Sequence, residues 1–192
     1  DWFCQKDGEY TLEVRDILGR GNPGSVYRLT MGQVGYDTVA YPPALTGGKK
    51  SNIRLIGKNL VGGATDCSVE PESGWGLQLV STPEGSHPVF VTPLPINSFP
   101  PRKEATRTFP CGFTGKLDRM GENHDYTITV PQDATYDIET YSTRLGSPAT
   151  VVVQVLNANG QQVGRIEPEQ RNSVRLAGKQ TYTLRVLEAA GK

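Results

Sequence analysis

Short stretches in which apolar and polar residues alternate run along most of the chain. Alternation with a period of two predicts β-strands with one buried face, and the turn-forming residues between the stretches predict tight connections. No stretch keeps apolar residues at the three- and four-residue spacing of an amphipathic helix. The pattern therefore predicts an all-β chain built of small sandwiches or barrels. The predicted strands cover residues 10–15, 26–31, 52–56, 77–80, 88–91, 126–130, 136–141, 150–156, 173–176 and 182–186.

A five-residue sequence occurs twice with one substitution, as YTLEV at residues 10–14 and YTLRV at residues 182–186. Each copy follows a turn that contains glycine, Gly8 in the first case and Gly178 in the second. The first copy is followed by a glycine-rich loop and a further predicted strand, whereas the given sequence ends soon after the second. We therefore expect residues 1–34 to be the closing hairpin of a sandwich, and both terminal modules to be incomplete.

Proline pairs divide the rest of the chain. Pro42 and Pro43 open a unit that we assign to residues 36–98. Residues 99–107 combine Pro100 and Pro101 with alternating charges, which is typical of a linker. The remaining residues, 108–192, are predicted to form the last sandwich.

The composition excludes several classes of protein. The chain has 22 glycines and 14 prolines among 192 residues, too many for a helical bundle. Its 20 basic and 20 acidic residues balance, which argues against a nucleic-acid partner because phosphate neutralisation supplies most of that affinity. No apolar run approaches the roughly 20 residues of a membrane span.

Cysteine and histidine limit the chemistry further. Cys4, Cys67 and Cys111 are the three cysteines, and no two have the two-residue spacing of zinc or redox motifs. Cys67 with Cys111 is the candidate disulfide, but the favoured interpretation is that these cysteines are small buried apolar residues. His87 lies in a sequence typical of a turn, between Ser86 and Pro88, and is expected to be solvated.

One loop carries a candidate metal site. Asp118, Glu122, Asn123 and Asp125 place four oxygen-bearing side chains within eight residues. Calcium takes six to eight oxygen ligands from loops of this kind, so these residues are the candidate calcium ligands. The alternative is a turn in which the acidic and amide side chains bond their own backbone. No cofactor other than calcium is expected.

The sequence shows no catalytic motif. A nucleophile elbow is absent, and His124, the candidate base, has no nucleophile near it in sequence. We therefore predict that the chain is not an enzyme and has no catalytic or cofactor-binding residues. Most aromatic side chains are expected in the cores, but Trp75, between two glycines, is expected to be exposed and is the candidate ligand contact, for example to a sugar ring.

Several segments together carry a family resemblance. In the last 85 residues these are residues 109–110, 115–118, 125–128, 144–148, 155–160 and 182–186. They resemble the bacterial pre-peptidase C-terminal domain, a β-sandwich found beside the catalytic domains of secreted proteins. Residues 7–31 resemble the closing hairpin of a second copy. Residues 42–60 resemble the start of an immunoglobulin-like domain of the kind found in plexins and transcription factors. The resemblance therefore implies a tandem array of small β-sandwiches of jelly-roll-like and immunoglobulin-like types.

The resemblance implies a non-catalytic structural or interaction module of a larger bacterial protein that is periplasmic, secreted or at the cell surface. Its expected partners are other domains of the same protein, or a partner chain, that complete the terminal sheets. One alternative is a calcium-assisted binding module for polysaccharide or fibrous protein. Another is a non-catalytic subunit or fragment of an enzyme or redox complex.

Overall fold

The chain is all-β, as the alternation predicts. A computed structural model describes residues 5–19, 21–29, 31–32, 36–60, 66–100 and 109–189. Strands make up 46% of the structure, no α-helix occurs in these residues, and no sheet closes into a barrel. The chain divides into two compact units, Asp1–Gly32 and Gln33–Lys192.

The larger unit contains all fourteen strands of the described residues. The first seven are β1 (Tyr36–Tyr41), β2 (Ala44–Leu45), β3 (Ser51–Lys58), β4 (Asp66–Val69), β5 (Gly76–Thr82), β6 (Gly85–Val91) and β7 (Ile96–Ser98). The other seven are β8 (Gly112–Thr114), β9 (Asn123–Thr129), β10 (Ala134–Glu139), β11 (Val151–Leu156), β12 (Gln162–Ile166), β13 (Arg171–Leu176) and β14 (Thr181–Glu188).

Strands β1 to β6 form the first sandwich. One sheet has the order β1-β3-β4 and the other the order β2-β6-β5. Alternation in β3 points Ile53 and Leu55 inward, where they pack with Val80, Val89 and Val91 of the facing sheet. Burying an aliphatic side chain of this size contributes about 1.5–3 kcal/mol, so this two-sheet core holds the first sandwich together.

The second sandwich has a four-stranded sheet, β12-β11-β14-β9, and a two-stranded sheet, β10-β13. Tyr182 and Leu184 of the central strand β14 lie in its core with Tyr126 of β9 and Val174 of β13. On the other face of β14, Arg185 donates hydrogen bonds to both carboxylate oxygens of Asp125, at 2.8 and 2.7 Å. The repeat at residues 182–186 is thus a fully paired inner strand.

The boundary between the sandwiches differs from the prediction. Strand β7, which we assigned to the unit at 36–98, pairs in parallel with β8 at the start of the second sandwich. Phe99, assigned to the linker, packs against the second core. The described part of the expected linker is therefore part of the folded structure, and residues 101–108 lie outside the described residues.

The smaller unit does not form the expected hairpin. Turns occur near residues 16–18 and 23–24, but no described residue between 5 and 32 belongs to a strand. Leu12, Val14, Ile17 and Leu18 are all exposed. Strands need hydrogen-bonding neighbours and a buried face, and the described part of this unit supplies neither.

Candidate functional site at the junction of the two sandwiches

An aromatic column joins the two sandwiches. Phe90 on β6 contacts Tyr141, which follows β10, with ring centroids 4.4 Å apart. The guanidinium of Arg144 lies over the Tyr141 ring, 4.1 Å from its centroid. On the opposite side, Trp75 meets Phe90 edge to face at 5.9 Å. We call Phe90, Tyr141 and Arg144 the junction; aromatic and cation–π contacts of this kind each contribute about 0.5–1.5 kcal/mol.

Glu169 fixes the second sandwich's side of the junction. Its Oε1 accepts hydrogen bonds from the Ser142 amide, the Ser142 hydroxyl and the Thr143 amide, at 2.6, 2.7 and 2.8 Å. Its Oε2 accepts one from Nε of Arg144 at 2.6 Å. The carboxylate thereby positions both the 3-10 turn Thr143–Leu145 and the guanidinium that covers Tyr141.

Burial alone would raise the pKa of Glu169. The hydrogen bonds from Arg144, Ser142 and Thr143 outweigh that effect and lower the pKa to about 2. The group is therefore a carboxylate at neutral pH, and its charge is compensated by donors on three consecutive residues. A carboxylate held in this way is suited to a structural role.

Glu139 extends the network along the edge of β10. It accepts hydrogen bonds from Arg171 at 2.9 Å and from Arg144 at 3.5 Å. Burial raises its pKa, but the bonds from Arg171, Tyr141 and Arg144 lower it below its ordinary value. Burial and the neighbouring Glu139 in turn raise the pKa of Tyr141, so the phenol at the junction is neutral.

A second contact ties the segment after β7 to the second sandwich. Phe99 stacks on His124 with ring centroids 3.5 Å apart and planes 3° from parallel, and it meets Tyr126 edge to face. His124 is buried, and its Nε2 lies 3.2 Å from Oε1 of Glu122. Gly115 makes room for the ring, since a Cβ there would lie 2.7 Å from His124 Nδ1.

Three of the four candidate calcium ligands have protein partners, and the fourth, Asn123, is exposed. Asp125 is paired with Arg185, and Asp118 with Lys116. Glu122 accepts hydrogen bonds from the Asp118 and Arg119 amides, which lower its pKa. No cluster of His, Cys, Asp and Glu suited to a metal occurs among the described residues. Of the four side chains, Glu122 thus bonds the backbone of its own turn, and the calcium site stays a prediction.

Trp75 is 59% exposed and lies at the end of the aromatic column. Its solvent exposure agrees with the expectation from the sequence, and its role as a ligand contact stays a prediction. The candidate pair Cys67 and Cys111 forms no disulfide in this structure, and both side chains are half-buried. Cys67 packs against the first core, whereas Cys111 precedes β8 of the second sandwich, so the two belong to different sandwiches. Cys4 lies outside the described residues.

His87 is buried, contrary to the expectation that it is solvated. It is the third residue of β6, where alternation points it inward with Val89 and Val91. Its Nε2 has no hydrogen-bond partner in the described part of the chain. Pro88, which suggested a turn, is tolerated because β2 pairs only with Phe90 and Val91, so β6 lacks a neighbour on that side at residue 88.

Sequence reasoning missed the residues that build the junction. In the sequence, Arg144 is notable only as part of the family resemblance at residues 144–148, and no pattern marks Glu169. Glu169 lies 25 residues from Arg144, in a turn before β13, and no local motif connects the two. Only the pairing of β10 with β13 brings these segments together.

No helix among the described residues is both long and apolar enough to cross a bilayer. Comparisons with protein-family models, with curated proteins and with solved structures found no match. The resemblance to pre-peptidase C-terminal and plexin-type domains therefore stays a prediction.

Proposed function

We propose that the chain is a non-catalytic structural module of a larger extracytoplasmic protein, in which two coupled sandwiches space or dock other domains. The observation that carries the proposal is the junction, because Phe90, Tyr141 and Arg144 connect the two sandwiches through consecutive ring and cation contacts. A spacer transmits position only when its domains do not pivot freely on each other. The parallel pair β7–β8 and the stacking of Phe99 on His124 supply a second point of attachment.

The charges near the junction support the same proposal. Arg144, Arg171, Glu139 and Glu169 are held in ion pairs with one another. Arginine and carboxylate pairs with bidentate or multiple contacts fix geometry, whereas catalytic groups need access to a substrate. We assign these residues to the coupling of the sandwiches.

The smaller unit is where other domains or a partner chain would dock. Leu12, Val14 and Val26 are exposed and lie in stretches with the alternation of strands, and Ile17 is exposed in the turn between those stretches. Exposed apolar surface of this kind marks an interaction site. We propose that a sheet from elsewhere in the parent protein, or from a partner, completes it. The calcium-assisted and enzyme-complex alternatives stay predictions.

Calorimetry of the full chain tests the coupling. We expect the two sandwiches to unfold in one transition, with equal calorimetric and van't Hoff enthalpies. Arg144→Ala removes the cation over Tyr141 and leaves the half-buried Glu169 without its charged donor. It should lower the midpoint by roughly 4–8 °C and separate the sandwiches into two transitions.

Arg165→Ala is the matched control, because Arg165 also makes a 2.6 Å ion pair with a glutamate, Glu167, but takes no part in the junction. It should keep the single transition. Two transitions in the unmodified chain would show that the sandwiches are independent and would contradict the spacer function.

A further inference from the structure

Strand β5 is the outer strand of its sheet, and its free edge is built for another strand. Phe90 and Thr92 donate their amides to Pro43 and Leu45 on the β2 side, so the amides of Val89 and Val91 face β5. Their register partners Gln78 and Gly76 complete those hydrogen bonds. The amides and carbonyls of the alternate residues Leu77, Leu79 and Ser81 therefore point away from the sheet, and no hydrogen bond reaches them within the described residues.

The side chains beside this edge are apolar and exposed. Leu77 and Leu79 are 45% and 71% exposed on the outer face of the sheet, next to Trp75. The pairing of β5 with β6 continues over seven residues without a bulge. A long, flat and apolar edge of this kind is a template for strand addition.

The charges distinguish β5 from the other edges. Every other edge strand of four or more residues in the described structure contains Asp, Glu or Arg, for example Asp66 in β4 and Arg165 in β12. Strand β5, with the sequence GLQLVST, contains no charged residue and no proline. It therefore lacks the charged residues and prolines that prevent edge strands of two molecules from pairing.

We propose that β5 pairs with β5 of a second copy of this chain. An antiparallel pair of identical strands has a twofold axis, and the register that pairs all three outward-facing residues, 77, 79 and 81, places that axis at Leu79. Leu79 then lies opposite Leu79 of the second copy, and Leu77 opposite Ser81, so the leucines form one apolar row across the axis. The uncharged strand brings no like charges together. The two three-stranded sheets become one sheet of six strands.

Light scattering after size-exclusion chromatography of the full chain, over a series of concentrations, tests the proposal. The expected mass is twice the 20.9 kDa of one chain. Leu79→Lys and Leu79→Glu should each give a monomer, because equal charges meet at the axis. An equimolar mixture of the two variants should restore the dimer, because opposite charges then meet across the axis.

Two controls separate this interface from other sources of association. Val163→Lys replaces another exposed apolar residue, on the edge strand β12, and should leave the dimer intact. Leu12→Lys tests the smaller unit, so its effect bears on the proposed docking function and not on β5. A monomeric unmodified chain overturns the proposal and leaves a strand of another protein as the occupant of the edge. A Leu79→Lys dimer, or a mixture that stays monomeric, also overturns it.

Discussion

The two copies of the repeated pentapeptide differ in burial and in secondary structure. In β14, Tyr182 and Leu184 are 7% and 6% exposed, between neighbours β11 and β9. In the smaller unit, Tyr10 and Leu12 are 52% and 57% exposed, and the segment is not assigned to a strand. Four of the five residues are identical, so local preference cannot account for the difference. Alternation makes a segment suited to form a strand, and pairing with a neighbouring strand over a buried face makes it one.

The largest test of this comparison is the same truncation in both copies. Leu184→Ala removes a side chain from the second core and should lower the free energy of unfolding by about 2–5 kcal/mol. Leu12→Ala should change it by less than about 0.5 kcal/mol, because the side chain is exposed. Denaturant titration of both variants measures the two effects. Equal losses would mean that the smaller unit is packed as tightly as β14.

The glycines that precede the two copies give a second paired test. A Cβ on Gly178 would lie 2.4 Å from the Cα of Gln132, whereas a Cβ on Gly8 would meet nothing within 4 Å. Gly178→Ala should therefore destabilise the chain by about 1–3 kcal/mol through overpacking. Gly8→Ala should leave the unfolding midpoint unchanged or slightly raised. Thermal unfolding distinguishes them, and a harmless Gly178→Ala would contradict the close approach of the two loops.

Lowering the pH gives the smallest expected effect on the free energy of unfolding. Glu169 is the residue tested, and Glu13 of the first copy is its control. The pKa of Glu169 in the folded chain is about 2, below its ordinary value near 4.5. Its stabilisation is therefore complete above about pH 5 and is lost as the pH falls toward 2, an effect of about 1–2 kcal/mol.

Glu169→Gln should flatten the loss of stability in that pH range when unfolding is followed by denaturant titration at each pH. Glu13→Gln is the control at an exposed residue, 3.9 Å from Arg15, and should change the free energy of unfolding at neutral pH by less than about 0.5 kcal/mol. A Glu169→Gln profile that falls as steeply as that of the unmodified chain would rule out this carboxylate as a source of the acid sensitivity.

The strands with strong alternation were predictable from the sequence, and those without it were not. The stretches at 52–56 and 77–80 lie within β3 and β5. The stretch at 150–156 matches β11 except for residue 150, and the stretch at 182–186 lies within β14. Strand β12 was missed because its sequence, QVGRI, has few alternating apolar positions and contains a glycine. That glycine faces Val174, where a Cβ would lie 2.8 Å from a methyl group, so packing required it.

The junction was beyond sequence reasoning for a different reason. Phe90, Arg144 and Glu169 are brought together by the pairing of strands far apart in the chain, and each residue by itself resembles an ordinary surface or core position. The acidic loop at 118–125 could be recognised as a candidate site from the sequence, because its residues are close together in the chain. Their side chains, however, bond to cations and amides that the local pattern does not reveal.

The stacking of Phe99 on His124 has a consequence for how such a module can be inherited. The ring that covers His124 belongs to the segment between β7 and β8, so part of the interior of the second sandwich comes from residues that precede β8. A gene rearrangement that transferred only residues from β8 onward would expose His124. The second sandwich is therefore expected to be inherited together with β7 and Phe99.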